Sequence, residues 1–392
     1  MLLALPGCDD GGDPTGNGGT GGATGGTAGA GGNTGGDGGT GGTGGTTTSS
    51  SLGCLPESAY SALFTLQADD LCVYGVYEAA GSLSYQQPTW GAHDGLLVIE
   101  AGPNDGEVTL ARWSAPAAPQ GDITIASTTV NAKIPAGTFV AGVAVDLGFR
   151  AGTAISYQGA FPDTVGELIV LDGANSDERY AVNGLFSMAA LASGQTGRLL
   201  LTGLSSVGDA GAGANGLYAA DDCAGTFDPS ASGGCAASSA VAAWGDASGP
   251  VVADGDGNVF TVMTSFAGDQ EARAFAASTV AKGAAPSEGD VMFTLPGFGL
   301  SLAAIAPSAS EEGIVAFQPA DGNTFDALDV IQVRYTAAGG AVTPAGEPST
   351  LLKLAPNTPV VLLVDPKGML WVGLPSAKGT TLAVMGRKTL GE

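Results

Sequence analysis

Short strand–turn–strand units recur along this chain and restrict it to a fold built from β-hairpins. Residues 251–253, VVA, lead into the turn DGDGN and then into VFTV at 259–262. Residues 360–364, VVLLV, lead into DPKG and then into MLWV at 369–372. Short apolar runs joined by Asp and Gly are the strongest local signal for a β-hairpin. We therefore predict an all-β protein.

The small number of charged residues also favours sheets over helices. Only 13% of the residues are charged, and 13 of the 392 are Lys or Arg. Soluble helices normally carry Glu, Lys and Arg on the face that meets solvent. The net charge of −25, with no Lys or Arg before Arg112, excludes a basic patch for nucleic acid. An acidic surface of this kind serves solubility.

The predicted strands fall into groups whose length and strand number match the blades of a β-propeller. Four short antiparallel strands within roughly forty residues form one blade. The strands expected in two such groups are 350–354, 360–364, 369–373 and 381–385, and 240–244, 250–254, 258–264 and 271–275. The segments 83–126, 140–182, 183–222 and 291–337 divide in the same way.

The stretches VVADGDGNVFTV and VVLLVDPKGMLWVG resemble the central hairpins of β-propeller repeats of the NHL or quinoprotein-like kind. The resemblance implies a single propeller of about six blades, with seven possible. A strand at 62–66 is expected to complete the last blade and close the ring. A pair of β-sandwiches or a β-helix is the structural alternative.

A long segment near the N-terminus has no material for a core. Residues 11–53 consist almost entirely of Gly, Thr, Ala, Asn and Ser. Such a segment cannot bury enough apolar surface to offset the entropy lost on ordering. We therefore predict three parts, namely a signal remnant at 1–8, a disordered Gly/Thr-rich linker at 9–53 and the propeller domain at 54–392.

The chain begins MLLALPGCD, and the Leu-x-Gly-Cys that ends at Cys8 resembles the lipobox of bacterial lipoproteins. In that family the Cys thiol is acylated and becomes the mature N-terminus, so the resemblance implies a lipid anchor at Cys8. Seven residues precede Cys8 and none is basic, whereas an export signal has a basic region and a longer apolar stretch. We therefore expect the true start to lie upstream. A cytoplasmic protein with a chance LPGC is the alternative.

The five cysteines are consistent with this interpretation. They are Cys8, Cys54, Cys72, Cys223 and Cys235, and an odd number in an exported protein leaves one over. If Cys8 carries lipid, the other four pair evenly. Proximity in sequence favours the disulfides Cys54–Cys72 and Cys223–Cys235. A four-Cys metal site is the alternative, although zinc sites usually contain Cys pairs two to four residues apart.

Few residues form patterns that carry chemistry. A Ser-His-Asp or Cys-His arrangement would have to use His93, the single His of the chain, and no GxSxG elbow accompanies it. Asp254, Asp256 and Asn258 have the spacing that opens a calcium loop, although later positions depart from that loop. The same residues suit a hairpin turn. Calcium is the only ion that this pattern indicates, and no other cofactor is expected.

Together these features favour a membrane-anchored, extracytoplasmic binding or scaffold protein over an enzyme. It would be a monomer in the cell envelope, held at a lipid bilayer by its acyl anchor, or else secreted. Its loops would bind an envelope protein or a glycan, and Trp90, Trp244 and Tyr218 beside predicted turns are candidates for recognition. The alternative is a propeller-type hydrolase or lyase with a carboxylate and calcium site in the central channel. A surface decoration without a specific ligand is a third possibility.

Overall fold

The structure is a computed structural model, and the described part of the chain begins at Gly53. The residues it describes are 53–83, 88–91, 95–104, 106–131, 141–146, 153–158, 165–172, 175–183, 185–191, 198–204, 215–219, 239–244, 247–264, 269–281, 284–285, 287–296, 303–305, 314–316, 328–355, 358–365 and 367–388. All of them belong to one compact unit that includes residues 52–392. The predicted signal remnant and almost all of the predicted linker lie outside these ranges, so those boundaries stay predictions.

Strands make up nearly all of the regular structure in these ranges, with one short turn of 3-10 helix at Glu57–Ala59. The first fourteen strands are β1 (Phe64–Leu66), β2 (Leu71–Ala79), β3 (Thr89–Gly91), β4 (Gly95–Ala101), β5 (Glu107–Ser114), β6 (Gln120–Asp122), β7 (Thr124–Asn131), β8 (Ala141–Asp146), β9 (Thr153–Gln158), β10 (Val165–Asp172), β11 (Asn175–Asn183), β12 (Leu185–Leu191), β13 (Arg198–Leu204) and β14 (Asn215–Ala219). The others are β15 (Ser239–Trp244), β16 (Ala247–Ala253), β17 (Val259–Thr264), β18 (Asp269–Phe275), β19 (Asp290–Pro296), β20 (Ala303–Ile305), β21 (Ile314–Ala316), β22 (Leu328–Gln332), β23 (Tyr335–Ala338), β24 (Ala341–Pro344), β25 (Ser349–Leu354), β26 (Val361–Val364), β27 (Leu370–Ser376) and β28 (Gly379–Arg387). No helix in the described ranges is long and apolar enough to cross a bilayer.

The strands form six blades arranged in a ring, counted over the described residues. Four blades are four-stranded antiparallel sheets, β3–β4–β5–β7, β8–β9–β10–β11, β12–β13–β14–β15 and β16–β17–β18–β19. The fifth contains the pair β20–β21 beside the sheet β22–β25–β1, and the sixth is β26–β27–β28–β2–β6. The first strands contact one another in sequence, β3, β8, β12, β16, β20, β26 and again β3. This ring confirms the predicted all-β propeller and its number of blades, and it excludes a sandwich pair or a β-helix.

The ring is closed by the second strand of the domain, not by the first. β2 pairs antiparallel with β28, in a register that runs from Leu71 opposite Arg387 to Ala79 opposite Thr380. β1 instead pairs with β25 in the preceding blade. The prediction that residues 62–66 complete the last blade was therefore wrong by one strand. A hairpin pattern identifies neighbouring strands, but it does not show which sheet a distant strand joins.

The predicted blade groups were also displaced by one strand. Residues 350–354, expected to begin the last blade, lie in β25 of the fifth blade, and residues 240–244 lie in β15 of the third. In a propeller the last strand of one blade and the first strand of the next are also neighbours in sequence. The spacing of short strands therefore predicts the hairpins correctly without revealing where a blade begins.

The strands run between two faces of the ring, which we call the lower and the upper face. The lower face carries the turn at 365–369 between β26 and β27, the end of β28 and the start of β2. The upper face carries the turn at 376–379 between β27 and β28, and the end of β2. Because the strands alternate in direction, the first strand of each blade ends at the lower face, as β26 does.

Candidate functional site

The first-to-second-strand turn of the fourth blade is organised by one buried carboxylate. Asp254, which is 8% exposed, directly follows β16. Its Oδ1 accepts hydrogen bonds from the backbone N–H groups of Asp256 and Asn258, both at 2.9 Å. Its Oδ2 accepts from Asn258 Nδ2 at 2.8 Å. Gly257 has a φ of +84°, a conformation that favours glycine, and it lets the turn close around the carboxylate.

The sixth blade repeats this turn with a different side-chain donor. Asp365 follows β26, and its Oδ1 accepts from the backbone N–H groups of Lys367 and Met369, both at 2.9 Å. Its Oδ2 accepts from the indole Nε1–H of Trp371 at 3.1 Å. Gly368 has a φ of +82°, almost the value at the equivalent position of the fourth blade. The two hairpins recognised in the sequence are therefore the same structural device.

The first, innermost strand of a third blade also ends in an Asp, and this one is mostly shielded from solvent. Asp146 is the last residue of β8, and it receives two hydrogen bonds from the guanidinium of Arg112, at 2.8 and 3.0 Å. Thr153 Oγ1 donates to it at 2.8 Å. Because Arg112 lies on β5, this ion pair joins the first blade to the second. The sequence signal that identifies this set of three is the recurrence of an apolar run ending in Asp, as in GVAVD, PVVAD and VLLVD.

Asp254 also binds a hairpin that is inserted in the fifth blade and packs against the fourth. The hairpin β23–β24 lies between β22 and β25 in sequence and packs on β18 and β19. Its Tyr335, 1% exposed, donates its hydroxyl to Asp254 Oδ2 at 2.7 Å. Burial and the neighbouring Asp254 raise the pKa of Tyr335 far above its usual value. A neutral, donating phenol is thus favoured over a tyrosinate that would face a carboxylate.

The predicted calcium ligands lie together in this turn, but two of them already have partners. Both carboxylate oxygens of Asp254 accept hydrogen bonds from the protein, as described above. The amide Oδ1 of Asn258 accepts from the backbone N–H of Ala277 at 3.0 Å. Asp256 is exposed. No group of three or more His, Cys, Asp or Glu suited to a metal occurs in the described ranges, and the calcium site stays a prediction.

The three carboxylates that end the first strands of their blades are largely shielded from solvent. The side chain of Asp146 is 10% exposed, and Asp254 and Asp365 are 8% and 6% exposed. A buried carboxylate is stabilised by the hydrogen bonds it accepts, so these three serve the joints between strands and blades. Acid–base or nucleophilic chemistry in the channel needs a carboxylate that reaches a substrate. None of these three, the described carboxylates that end inner strands, is placed to do so.

The closure seam is the place where β2 pairs with β28 to close the ring. It contains the predicted disulfide Cys54–Cys72, which the structure confirms. Cys54 and Cys72 are bonded, with Cα atoms 5.2 Å apart, and Cys72 lies on the closing strand β2. The backbone N–H of Leu55 donates to the carbonyl oxygen of Val73 at 2.8 Å. Residues 54 and 55 are therefore held against the start of β2 by a covalent bond and a hydrogen bond.

Polar residues continue the seam at the end of β28. Arg387 forms an ion pair with Asp70, and its NH2 group donates to Gln332 Oε1 at 2.7 Å. Tyr74 donates its hydroxyl to the carbonyl oxygen of Arg387 at 2.7 Å. Burial lowers the pKa of Arg387. These contacts join β2, β22 and β28, and no local motif in the sequence indicated them because the partners are distant along the chain.

Aromatic side chains fill the space between the last blade and the first. The Trp90 and Trp371 rings are 5.2 Å apart, and Tyr77 and Trp371 are 6.2 Å apart. Trp90 is half-buried, so this recognition candidate packs between blades. Within the described ranges, the buried indole nitrogens of Trp90 and Trp113 have no hydrogen-bond partner. The cluster therefore belongs to the core of the seam.

Several predicted residues lie beyond the part of the chain that the structure describes. They are Cys8, Cys223, Cys235 and His93, together with the side chains of Trp244 and Tyr218. The lipid anchor and the second disulfide therefore stay predictions.

The fold and seam define a closed six-bladed β-propeller, and solved propellers resemble it at low sequence identity. The soluble aldose sugar dehydrogenase of Escherichia coli is 12% identical, with a TM-score of 0.46 over 83% of this chain and 100% of that chain. The PQQ-bound aldose sugar dehydrogenase of Streptomyces coelicolor is 12% identical, with a TM-score of 0.46 over 82% and 99%. A six-bladed fungal lectin from Aleuria aurantia is 12% identical, with a TM-score of 0.45 over 79% and 90%. No protein-family profile and no curated protein matches the chain.

Proposed function

We propose that this chain is a membrane-anchored, extracytoplasmic binding or scaffold protein. The observation that carries the proposal is the Cys54–Cys72 disulfide at the point where the N-terminal segment meets the ring. Disulfides persist in oxidising compartments and are rare in the cytosol. The lipobox-like sequence at Cys8 adds an anchor to this exported domain, with a Gly-rich coil of roughly 35–40 Å between them.

The architecture supports presentation of a binding surface more than catalysis. Cys54 joins the ring at its lower face, next to the start of β2, so the upper face is the one opposite the attachment. The buried carboxylates that end inner strands are engaged in joints within and between blades. Turns held on a rigid scaffold are suited to recognition. We propose that the upper face binds an envelope protein or glycan.

Intact mass tests the anchor and the disulfides together. Protein from the native membrane fraction should begin at Cys8, carry added acyl mass and gain four hydrogens on reduction, two for each disulfide. A Cys8→Ala variant should appear in the soluble fraction with an unchanged unfolding midpoint, because the ring does not depend on the lipid. A soluble wild-type chain that retains Met1 without modification would overturn the anchor and the export argument.

Two exposed lysines of one blade test which face binds. Lys378 lies in the turn at the upper face, and Lys367 lies in the turn at the lower face. A photo-crosslinking amino acid placed at 378 in intact cells should yield one defined adduct, while the same group at 367 should yield none. Adducts only from 367 would move the binding surface to the lower face. The absence of adducts from both would favour a decoration without a specific ligand.

A further inference from the structure

Two strands, β1 and β2, connect the N-terminal end of the described chain to the ring, and β1 is paired over far fewer residues than β2. The segment from Cys54 to Asp70 contains β1, a strand of three residues that pairs with β25. Beyond it, β2 runs nine residues along β28 and pairs on its other edge with β6. The disulfide joins Cys54, before the short strand, directly to Cys72 on the long one.

A pull applied to residues before Cys54 can therefore follow a covalent path that avoids β1. Without the disulfide, the same pull would reach β2 only through the 18-residue stretch from Cys54 to Cys72. It would first remove β1 from β25, where only three residues are paired. We propose that the Cys54–Cys72 disulfide is a covalent shortcut that carries tension from the N-terminal segment into the closing strand β2, so that β1 bears none of it.

The direction of β2 suits it to this role. The strand starts at the lower face near Cys72 and ends at the upper face at Ala79. Tension between the N-terminal segment and a ligand on the upper face runs along the strand axis. In this shear geometry the hydrogen bonds to β28 and β6 share the load, whereas a strand pulled sideways loses them one at a time.

The segment protected by the shortcut covers part of the core. Phe64 is 3% exposed and stacks on Tyr60 with ring centroids 5.4 Å apart. Leu55, Tyr60 and Leu63 pack against the cluster between the fifth and sixth blades, which includes Leu352 and Met385. Removal of this segment would expose that cluster and weaken the seam at which the ring closes. The shortcut therefore protects closure as well as β1.

Sustained tension arises only if the chain is anchored through its N-terminus as proposed above, but the load path can be tested without the lipid. We suggest optical tweezers on the full purified chain, with one handle at the N-terminus and one at position 377 on the upper face. The background carries Cys223→Ser and Cys235→Ser, so that reduction acts on Cys54–Cys72 alone. Each folded molecule is stretched before and after reduction, which avoids dependence on refolding of a cysteine variant.

The oxidised molecule should show no early lengthening before the ring itself opens. After reduction, an additional step should appear at lower force, with a length of about 60 Å for the released 18 residues. A Cys54→Ser/Cys72→Ser variant should show the same step without reductant. Traces that are identical before and after reduction, or an early step already present in the oxidised protein, would overturn the proposal. These outcomes are independent of whether Cys8 proves to be acylated.

Discussion

The hydrogen bond between Tyr335 and Asp254 offers a direct test of how the inserted hairpin is held. Replacing Tyr335 with Phe keeps the ring, including its contact with Phe260 at 4.9 Å between centroids, and removes only the hydroxyl. Of the hydrogen bonds that described residues donate to the Asp254 carboxylate, only the one from this hydroxyl comes from outside the fourth blade, since the other donors belong to its own turn. The substitution therefore isolates the joint between the hairpin and the blade.

The expected cost follows from the burial of both partners. A hydrogen bond to an ionised group contributes about 1.5–3 kcal/mol, more than a bond between neutral groups. Here the donor is 1% exposed and the acceptor 8%, so water cannot easily replace the lost partner. Asp254 Oδ2 keeps the bond from Asn258 Nδ2, which limits the loss. We expect Tyr335→Phe to lower the free energy of unfolding by about 2 kcal/mol.

Equilibrium unfolding in urea, followed by tryptophan fluorescence, measures this loss. The exposed neighbour Thr336 provides a matched control, and Thr336→Val should change stability by less than about 0.5 kcal/mol. A double-mutant cycle with Asp254→Ala separates the shared bond from the turn bonds that Asp254 makes alone, and should give a coupling of at least about 1.5 kcal/mol. A coupling near zero, or a single-variant loss no larger than that of the control, would refute the reasoning.

Three further predictions concern the same joints and the ring closure. Burial and Asp254 raise the pKa of Tyr335, so its contribution to the free energy of unfolding is complete below pH ~10 and is lost as the pH rises above that value, where the tyrosine of the unfolded chain ionises first. Between pH ~10 and ~12 the wild type should therefore lose stability more steeply than Tyr335→Phe. Equal slopes of stability against pH, measured by urea unfolding, would contradict this. Trp371→Phe should cost about 2 kcal/mol through the lost indole bond to Asp365, measured as a shift of the urea midpoint, and an unchanged midpoint would show that the bond adds nothing. Gly379→Ala should cost more than about 3 kcal/mol, because the φ of Gly379 is +144° and an added Cβ would overlap the carbonyl oxygen of Ala79. Gly346→Ala, with φ +112° and open space around it, should cost about 1 kcal/mol. Thermal unfolding compares the two variants, and similar losses would contradict the importance of close packing between β28 and β2 for stability.

The sequence predicted those parts of the fold that depend on neighbouring residues. The turns after Asp254 and Asp365 were recognised because Asp and Gly at fixed positions favour a hairpin. The Cys54–Cys72 bond was predicted from proximity, and the structure confirms it. In each case the physical cause lies within about twenty residues of its effect.

The features that were missed depend on residues far apart in the chain. Tyr335 and Asp254 are separated by 81 positions, and Arg387 and Gln332 by 55. Nothing near Tyr335 distinguishes it from any other strand tyrosine. The blade boundaries and the identity of the closing strand were wrong for the same reason, because strand pairing across the ring is decided by packing in three dimensions. Alternation along a strand shows that it is paired without showing its partner.

The closure by β2 and β28 also sets the order in which the chain can become a finished protein. Tyr74 and Arg387, which meet at the seam, are 313 positions apart. Such long-range pairings form slowly because the intervening chain must first be brought together. β2 is synthesised long before β28, and it must wait for that strand before it can pair. A chain without β28 would leave β2 with an open edge, a known site of aggregation, so ring closure depends on the synthesis of β28 to a degree that the other blades do not.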